Sequence, residues 1–190
     1  MNKKHIITIA GRLGSGKSST ANKIAEKLDY HRFSSGDFMR SIAEKHTVTL
    51  QELSEMAERD PSIDHEIDGE VKNAGEKDNL VIDSRLAFHW IPESFKVYLY
   101  LRPEIAADRI LLDAQDNPNR YAEGYASLTK ESVTESITTR LESEKKRYKA
   151  LYNIDHTNPE NFDLIIDTEK NNLDEVVEII LEKYQSWLQE

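Results

Sequence analysis

Cysteine is absent from the chain, which excludes disulfides, thiolate nucleophiles and thiolate-ligated metals. A surplus of positive charge is also missing. The formal net charge is −10, which argues against a partner such as DNA or RNA, whose phosphates are met by basic surfaces. No apolar run approaches the length needed to cross a bilayer, so no membrane association is expected. Met1 to His5 lead straight into an apolar stretch, leaving no room for a signal peptide, and a cytoplasmic location is the expectation. Internal repeats and low-complexity segments are lacking. Once the periodic positions are assigned to a core, no apolar stripe remains to be covered, and a monomer is expected.

What is present is an alternation of short strands and amphipathic helices. Strands are expected at His5–Ala10, His31–Ser34, Leu80–Ile82 (ending at Asp83), Lys96–Leu101 and Phe162–Ile166. Helices are expected over Lys17–Leu28, from Phe38 to about Lys45 after a Ser35-Gly36-Asp37 turn, and after Pro103. A long one runs from about Thr129 to Tyr152, and the last carries Leu173, Val176, Val177, Ile180, Leu181 and Tyr184. Thr49 and Glu52 form a capping box, and Asp60-Pro61 starts a helix with Ile63, Ile67 and Val71 on one face. Asp113 to Leu128, rich in Asn, Pro, Gly and polar residues, reads as a loop. With 190 residues, one domain is expected, a three-layer α/β sandwich around a five-stranded parallel sheet. In such sheets ligands sit beyond the carboxyl ends of the strands.

Three of the seven glycines stand together at the first of those ends, in Gly11-Arg-Leu-Gly-Ser-Gly-Lys-Ser18. Between a strand and a helix this is the sequence form of a phosphate-cradling P-loop. Its backbone N–H groups and the positive helix end favour an anion. Lys17 is placed to reach β- and γ-phosphates and Ser18 to ligate Mg2+. The expected ligand is a nucleoside triphosphate.

Two further strand ends carry Ser35 to Arg40 and Asp83 to Arg85. Arginine forks at Arg40 and Arg85 suit a second phosphate-bearing ligand, although each also reads as an ion-paired surface residue. Asp83 is placed either to hold Mg2+ through water or to orient Arg85. On the long helix Arg140 and Arg147 share a face, positioned to neutralise a transferred phosphoryl group. Glu144, four after one and three before the other, offers the alternative of ordinary surface pairing. The six histidines show no metal-ligand spacing and are expected in structural or surface roles. A phosphate acceptor already carries its nucleophilic oxygen, so no general base is required.

Together with the P-loop, Phe33–Arg40, Met56–Asp64, Leu80–Leu86, Glu142–Tyr148 and Ile154-Asp155 make the chain resemble the cytidylate kinases in their short archaeal-like form. The resemblance implies phosphoryl transfer from ATP to CMP or dCMP with Mg2+. It implies a helical monophosphate-binding subdomain over about 35–79 and a lid over about 113–150. Gly11, Leu13, Gly14, Ser15, Gly16, Lys17, Ser18 and Ser19 would hold the donor, with Thr168 near its base. Arg40 and Arg85 would hold the acceptor phosphate, with Ser35, Asp37 and Asp83 beside them. Lys17, Arg85, Arg140 and Arg147 would be the catalytic groups. Departures from the pattern are Arg12 where proline is usual, Ser84 where glycine is usual, Lys145 or Lys146 where a lid arginine is common, and a longer stretch at 116–127. Arg12 would add a donor contact or face water, and Ser84 would crowd the acceptor pocket. Two other readings stand beside this one: a P-loop kinase for another small acceptor, and a nucleotide-binding module without turnover.

Overall fold

The computed structural model describes residues 3–116 and 129–190. Five strands form one parallel sheet in the order β2-β3-β1-β4-β5, comprising β1 Ile6–Gly11, β2 His31–Ser34, β3 Leu80–Asp83, β4 Phe95–Tyr100 and β5 Leu164–Asp167. Register is set by pairs such as Ile7 with Val81 and Ile9 with Val97. Every residue of β1 is buried, as expected for the central strand of a parallel sheet covered on both faces. One face packs Ile7, Ile9 and Val97 against Ile24 of α1 (Lys17–Leu28) and Val177 and Ile180 of the C-terminal helix α8 (Leu173–Gln189). Each fully buried aliphatic there contributes about 1.5–3 kcal/mol. The other face packs Ile6 and Ile82 against Val71 and Ile91.

Between β2 and β3 the chain makes α2 Ser35–His46, α3 Leu50–Ala57 and α4 Pro61–Ala74. These three close around a separate small core of Ile42, Leu53, Ile63 and Ile67. The 3.6-residue period, the Thr49–Glu52 capping box and the Asp60 cap with Pro61 at the first helical position are all in place. After β3 come the single turn α5 Ala87–Trp90, then α6 Pro103–Asp116 and α7 Lys130–Tyr152. Val133 and Ile137 of α7 pack on Ala106, Ala107 and Ile110 of α6. No helix of the described residues is long and apolar enough to cross a membrane.

Two expectations about element ends need correction. Helix α2 starts at Ser35 and not Phe38, because the Ser34 hydroxyl accepts the Asp37 N–H and caps the helix there. The loop expected from Asp113 begins later: Asp113 to Asp116 belong to α6, where Ala114 is buried against α7. The rest of that loop lies outside the described residues.

Candidate active site

The physical logic of the site begins with helix caps. Side chains of Ser34, Thr49, Asp60, Thr129 and Asn172 cap α2, α3, α4, α7 and α8. Helix α1 has no side-chain cap and no acidic residue in its first turn, so its N–H groups and dipole are left for an external anion. Gly16 before it takes φ 84°, and a Cβ on Gly11 would stand 2.4 Å from the Leu99 carbonyl. Glycine is therefore required for the loop to turn back over β4.

Facing this turn is a cleft of about 250 Å³. Of the residues expected from sequence, Leu13, Gly14, Gly16, Lys17, Ser18, Ser19, Ser35, Arg40, Asp83, Arg85 and Arg140 line it. Lys17 donates through Nζ to the Arg12 carbonyl at 2.8 Å. The Ser18 hydroxyl donates to Asp83 Oδ2 at 2.6 Å across the β1–β3 pair. Arg40 pairs with Asp37, which also accepts from Arg32 at 2.9 Å. Burial works to raise the Asp37 carboxyl, yet the Arg40 hydrogen bond and the Arg32 charge hold it below the usual range.

Gly11, Ser15, Asp37, Thr168 and Arg147 do not line the cleft. Thr168 is buried beyond β5 and takes part in a connection that sequence alone did not suggest. Arg109 of α6 lines the cleft and donates to the Thr168 carbonyl at 2.6 Å and to its hydroxyl at 3.3 Å. Arg147 departs most from expectation. Its Nε donates to Asp64 of α4 at 2.9 Å, and both side chains are buried. Seven residues on one helical face are still about 10 Å apart along the axis, which carries Arg147 past the cleft.

The surface-pairing reading of Glu144 is overturned as well. Glu144 is 4% exposed and stands outside the cleft lining, bordering an adjoining cavity with Arg85, Arg140 and His156. One oxygen pairs with Arg85 Nε at 2.5 Å and the other with Arg140 Nε at 3.1 Å. Burial would raise this carboxyl, but Arg85 and Arg140 hold it at about 2. His156 sits 3.9 Å from it, against the edge of Tyr148, and burial pushes the imidazole down to about 4. Asp83 bonds Ser18 and lies 3.6 Å from Arg32; Glu144, not Asp83, is the acid paired with Arg85. Arg12 is partly exposed and borders an adjoining cavity, where its guanidinium bonds the Leu101 carbonyl at 3.2 Å and stacks on Tyr100 at 4.9 Å. Ser84 is buried and lines the cleft.

Residues 10–124 match the family model described as "AAA domain". The chain is 37% identical over 177 residues to a cytidylate kinase of Archaeoglobus fulgidus, covering 92% of each chain. It is 31% identical to that of Methanosphaera stadtmanae, over 92% of this chain and 95% of the relative. An S-adenosylmethionine-dependent nucleotide dehydratase of Lacinutrix mariniflava is 36% identical over 94% of this chain, which spans only 36% of that protein's length. In fold the chain is similar to the shikimate kinase of Bacteroides thetaiotaomicron, with a TM-score of 0.67 at 16% identity over 95% of this chain and 98% of that one. With a P-loop opening onto an arginine-lined cleft, and near-full-length likeness to several archaeal enzymes of one name, the chain belongs to the cytidylate kinase family of P-loop phosphotransferases.

Proposed function

We propose that the chain transfers the γ-phosphoryl group of ATP to a nucleoside monophosphate, CMP or dCMP, giving the diphosphate. The observation that carries this reading is a single cleft lined by two cationic sets, each suited to an anion. One is the uncapped α1 terminus with Lys17, and the other is Arg40 and Arg85, with Arg140 beside both. A passive binder of one nucleotide has no use for the second set. Gly14 to Ser19 would cradle the donor phosphates, and Arg109 with Thr168 would stand at the donor base. Arg40 and Arg85 would grip the acceptor phosphate, with Ser35 and Asp37 on the nucleoside side. Helices α2 to α4 would form the acceptor-binding subdomain and α7 part of a lid.

A hard divalent cation fits the Ser18 hydroxyl and Asp83 carboxylate, an all-oxygen pair 2.6 Å apart. They would hold Mg2+, which would supply positive charge to offset that of the donor phosphates. The residues themselves align two anions that repel each other and neutralise the charge that develops between them. The acceptor phosphate brings its own nucleophilic oxygen, so no residue needs to abstract a proton. In this reading the enzyme is a cytoplasmic monomer. Its exposed large apolar side chains among the described residues, Met56, Leu112, Ile165 and Leu173, lie on four separate elements.

A coupled assay with ATP against the common nucleoside monophosphates tests the reading. Turnover with CMP and dCMP above the others is expected, and a flat response to every monophosphate overturns it. Donor use should also depend on pH. Burial, then Arg85, lower the Lys17 ammonium to about 8. The free enzyme therefore loses this charge as pH rises through that value, and kcat/KM for ATP should fall on the alkaline side of about pH 8. An unchanged kcat/KM up to pH 9.5 would show that Lys17 keeps its proton in the free protein.

A further inference from the structure

Among the described residues, Glu144 is the one carboxylate that joins two cations of the cleft. It sits beneath Arg85, which follows β3, and Arg140, one turn earlier on α7. Each of its oxygens takes a different guanidinium, and both pairs are made through Nε. A guanidinium held by its innermost nitrogen keeps its outer NH2 groups for the oxygens of an anion such as a phosphoryl group. Arg85 and Arg140 both line the cleft, as does Lys17. Three like charges around one small volume repel each other; Asp83 offsets Lys17 and Arg85 from within the cleft, while Glu144 is ion-paired with both arginines.

We propose that Glu144 is a positioning residue that sets Arg85 and Arg140 at a fixed separation for the transferred phosphoryl group. The inference rests on the kinase reading above and deepens it by naming what organises the cationic clamp. The surroundings of Glu144 suit the role. Besides the two arginines it faces His156 of the segment after α7, at 3.9 Å, and Tyr148 and Arg147 lie one turn further along the helix. His156 is buried and its Nδ1 has no partner in the protein. The carboxylate does not line the cleft; it borders an adjoining cavity of about 230 Å³ that Arg85, Arg140 and His156 also line, so it meets a ligand of the cleft only through the arginines.

Glu144→Gln separates positioning from plain charge. The amide keeps the shape and removes the anion, so the cleft gains one positive charge in total while the arginines lose their common anchor. Ground-state attraction for a phosphate is retained or strengthened, whereas alignment in the transition state is lost. Expected is a fall in kcat of about 10- to 100-fold with the acceptor KM within about 3-fold of wild type. Glu144→Asp, which keeps the charge but shortens its reach, should fall between the two. In the ligand-free protein, NMR should show the Nε–H resonances of Arg85 and Arg140 protected from exchange in wild type and in Glu144→Asp, and unprotected in Glu144→Gln.

Wild-type kcat in Glu144→Gln, or a loss confined to thermal stability with kcat per folded molecule unchanged, overturns the proposal. So do unaltered Nε–H resonances, which need no substrate. A wild-type protein that phosphorylates no monophosphate overturns the kinase reading instead and leaves the resonance test standing. Should Glu144→Gln not fold, Glu144→Asp decides by kcat per folded molecule, a wild-type value overturning the proposal. If neither folds, Glu144 is a structural residue and the proposal fails.

Discussion

Lys17→Ala is expected to leave no measurable phosphoryl transfer. Lys17 is the only lysine lining the cleft among the described residues, and its Nζ is held across the loop by the Arg12 carbonyl, 2.8 Å away. The ammonium is therefore placed before a ligand arrives and loses little freedom on meeting a triphosphate. Removing one such pre-set group from a closed site costs about 10²–10³ in kcat, and here weakened donor binding adds to the loss. The fold should not suffer. Burial lowers the Lys17 pKa below its unfolded value, so at neutral pH the charged form is a burden on the folded state, and its removal should not reduce the melting temperature. A coupled assay beside a melting curve checks both halves. An inactive variant that also melts far below wild type would mean that the loop had collapsed, and the activity loss would then say nothing of a phosphate contact.

Arg85→Ala is expected to act on the acceptor. Arg85 follows directly from the β3 end, across the cleft from the P-loop, and carries a fork suited to a terminal phosphate. Its loss should lower kcat/KM for the monophosphate by about 10²–10³ while the KM for ATP changes little. This variant will also be less stable, because Glu144 keeps only Arg140 and His156 beside it, and removing one partner of a buried ion pair costs about 3–5 kcal/mol. Kinetics must therefore be normalised to folded protein. Acceptor kinetics like those of wild type would mean that the acceptor phosphate binds elsewhere.

The parts of this site that sequence revealed are those whose chemistry is local. The P-loop is eight contiguous residues, and its placement between strand and helix carries the whole argument. The strand ends at Asp83 and Ser35 were legible because a parallel sheet brings its carboxyl ends to one edge, and β1, β3 and β2 are indeed neighbours. The start of α2 was misread because Gly36 drew attention as a turn former. Ser34 with Asp37 three residues on, the pattern of a capping box, was the signal for an earlier start.

Contacts set by tertiary packing were not legible. Helical spacing put Glu144 within reach of both Arg140 and Arg147, but spacing does not tell which neighbouring element each side chain meets. Arg85 claims one and Asp64 the other. Asp64 and Asp68, four apart beside the apolar positions of α4 and both buried, were a readable hint that this face meets something charged. Arg109 left no comparable trace, since its link to Thr168 depends on how α6 lies against the end of β5.

The two halves of α7 are fastened to different bodies. Val133 and Ile137 near its start are packed on α6. Toward its end Arg147 is tied to Asp64 of α4, Ser143 to Glu58, and Tyr148 to Leu86 and Phe88. Between these moorings lies the short span bearing Arg140. It follows that the helix cannot swing as a free lever: tilting of α6 or rocking of α4 converges on that span as on a fulcrum, and the guanidinium there registers motion from either end.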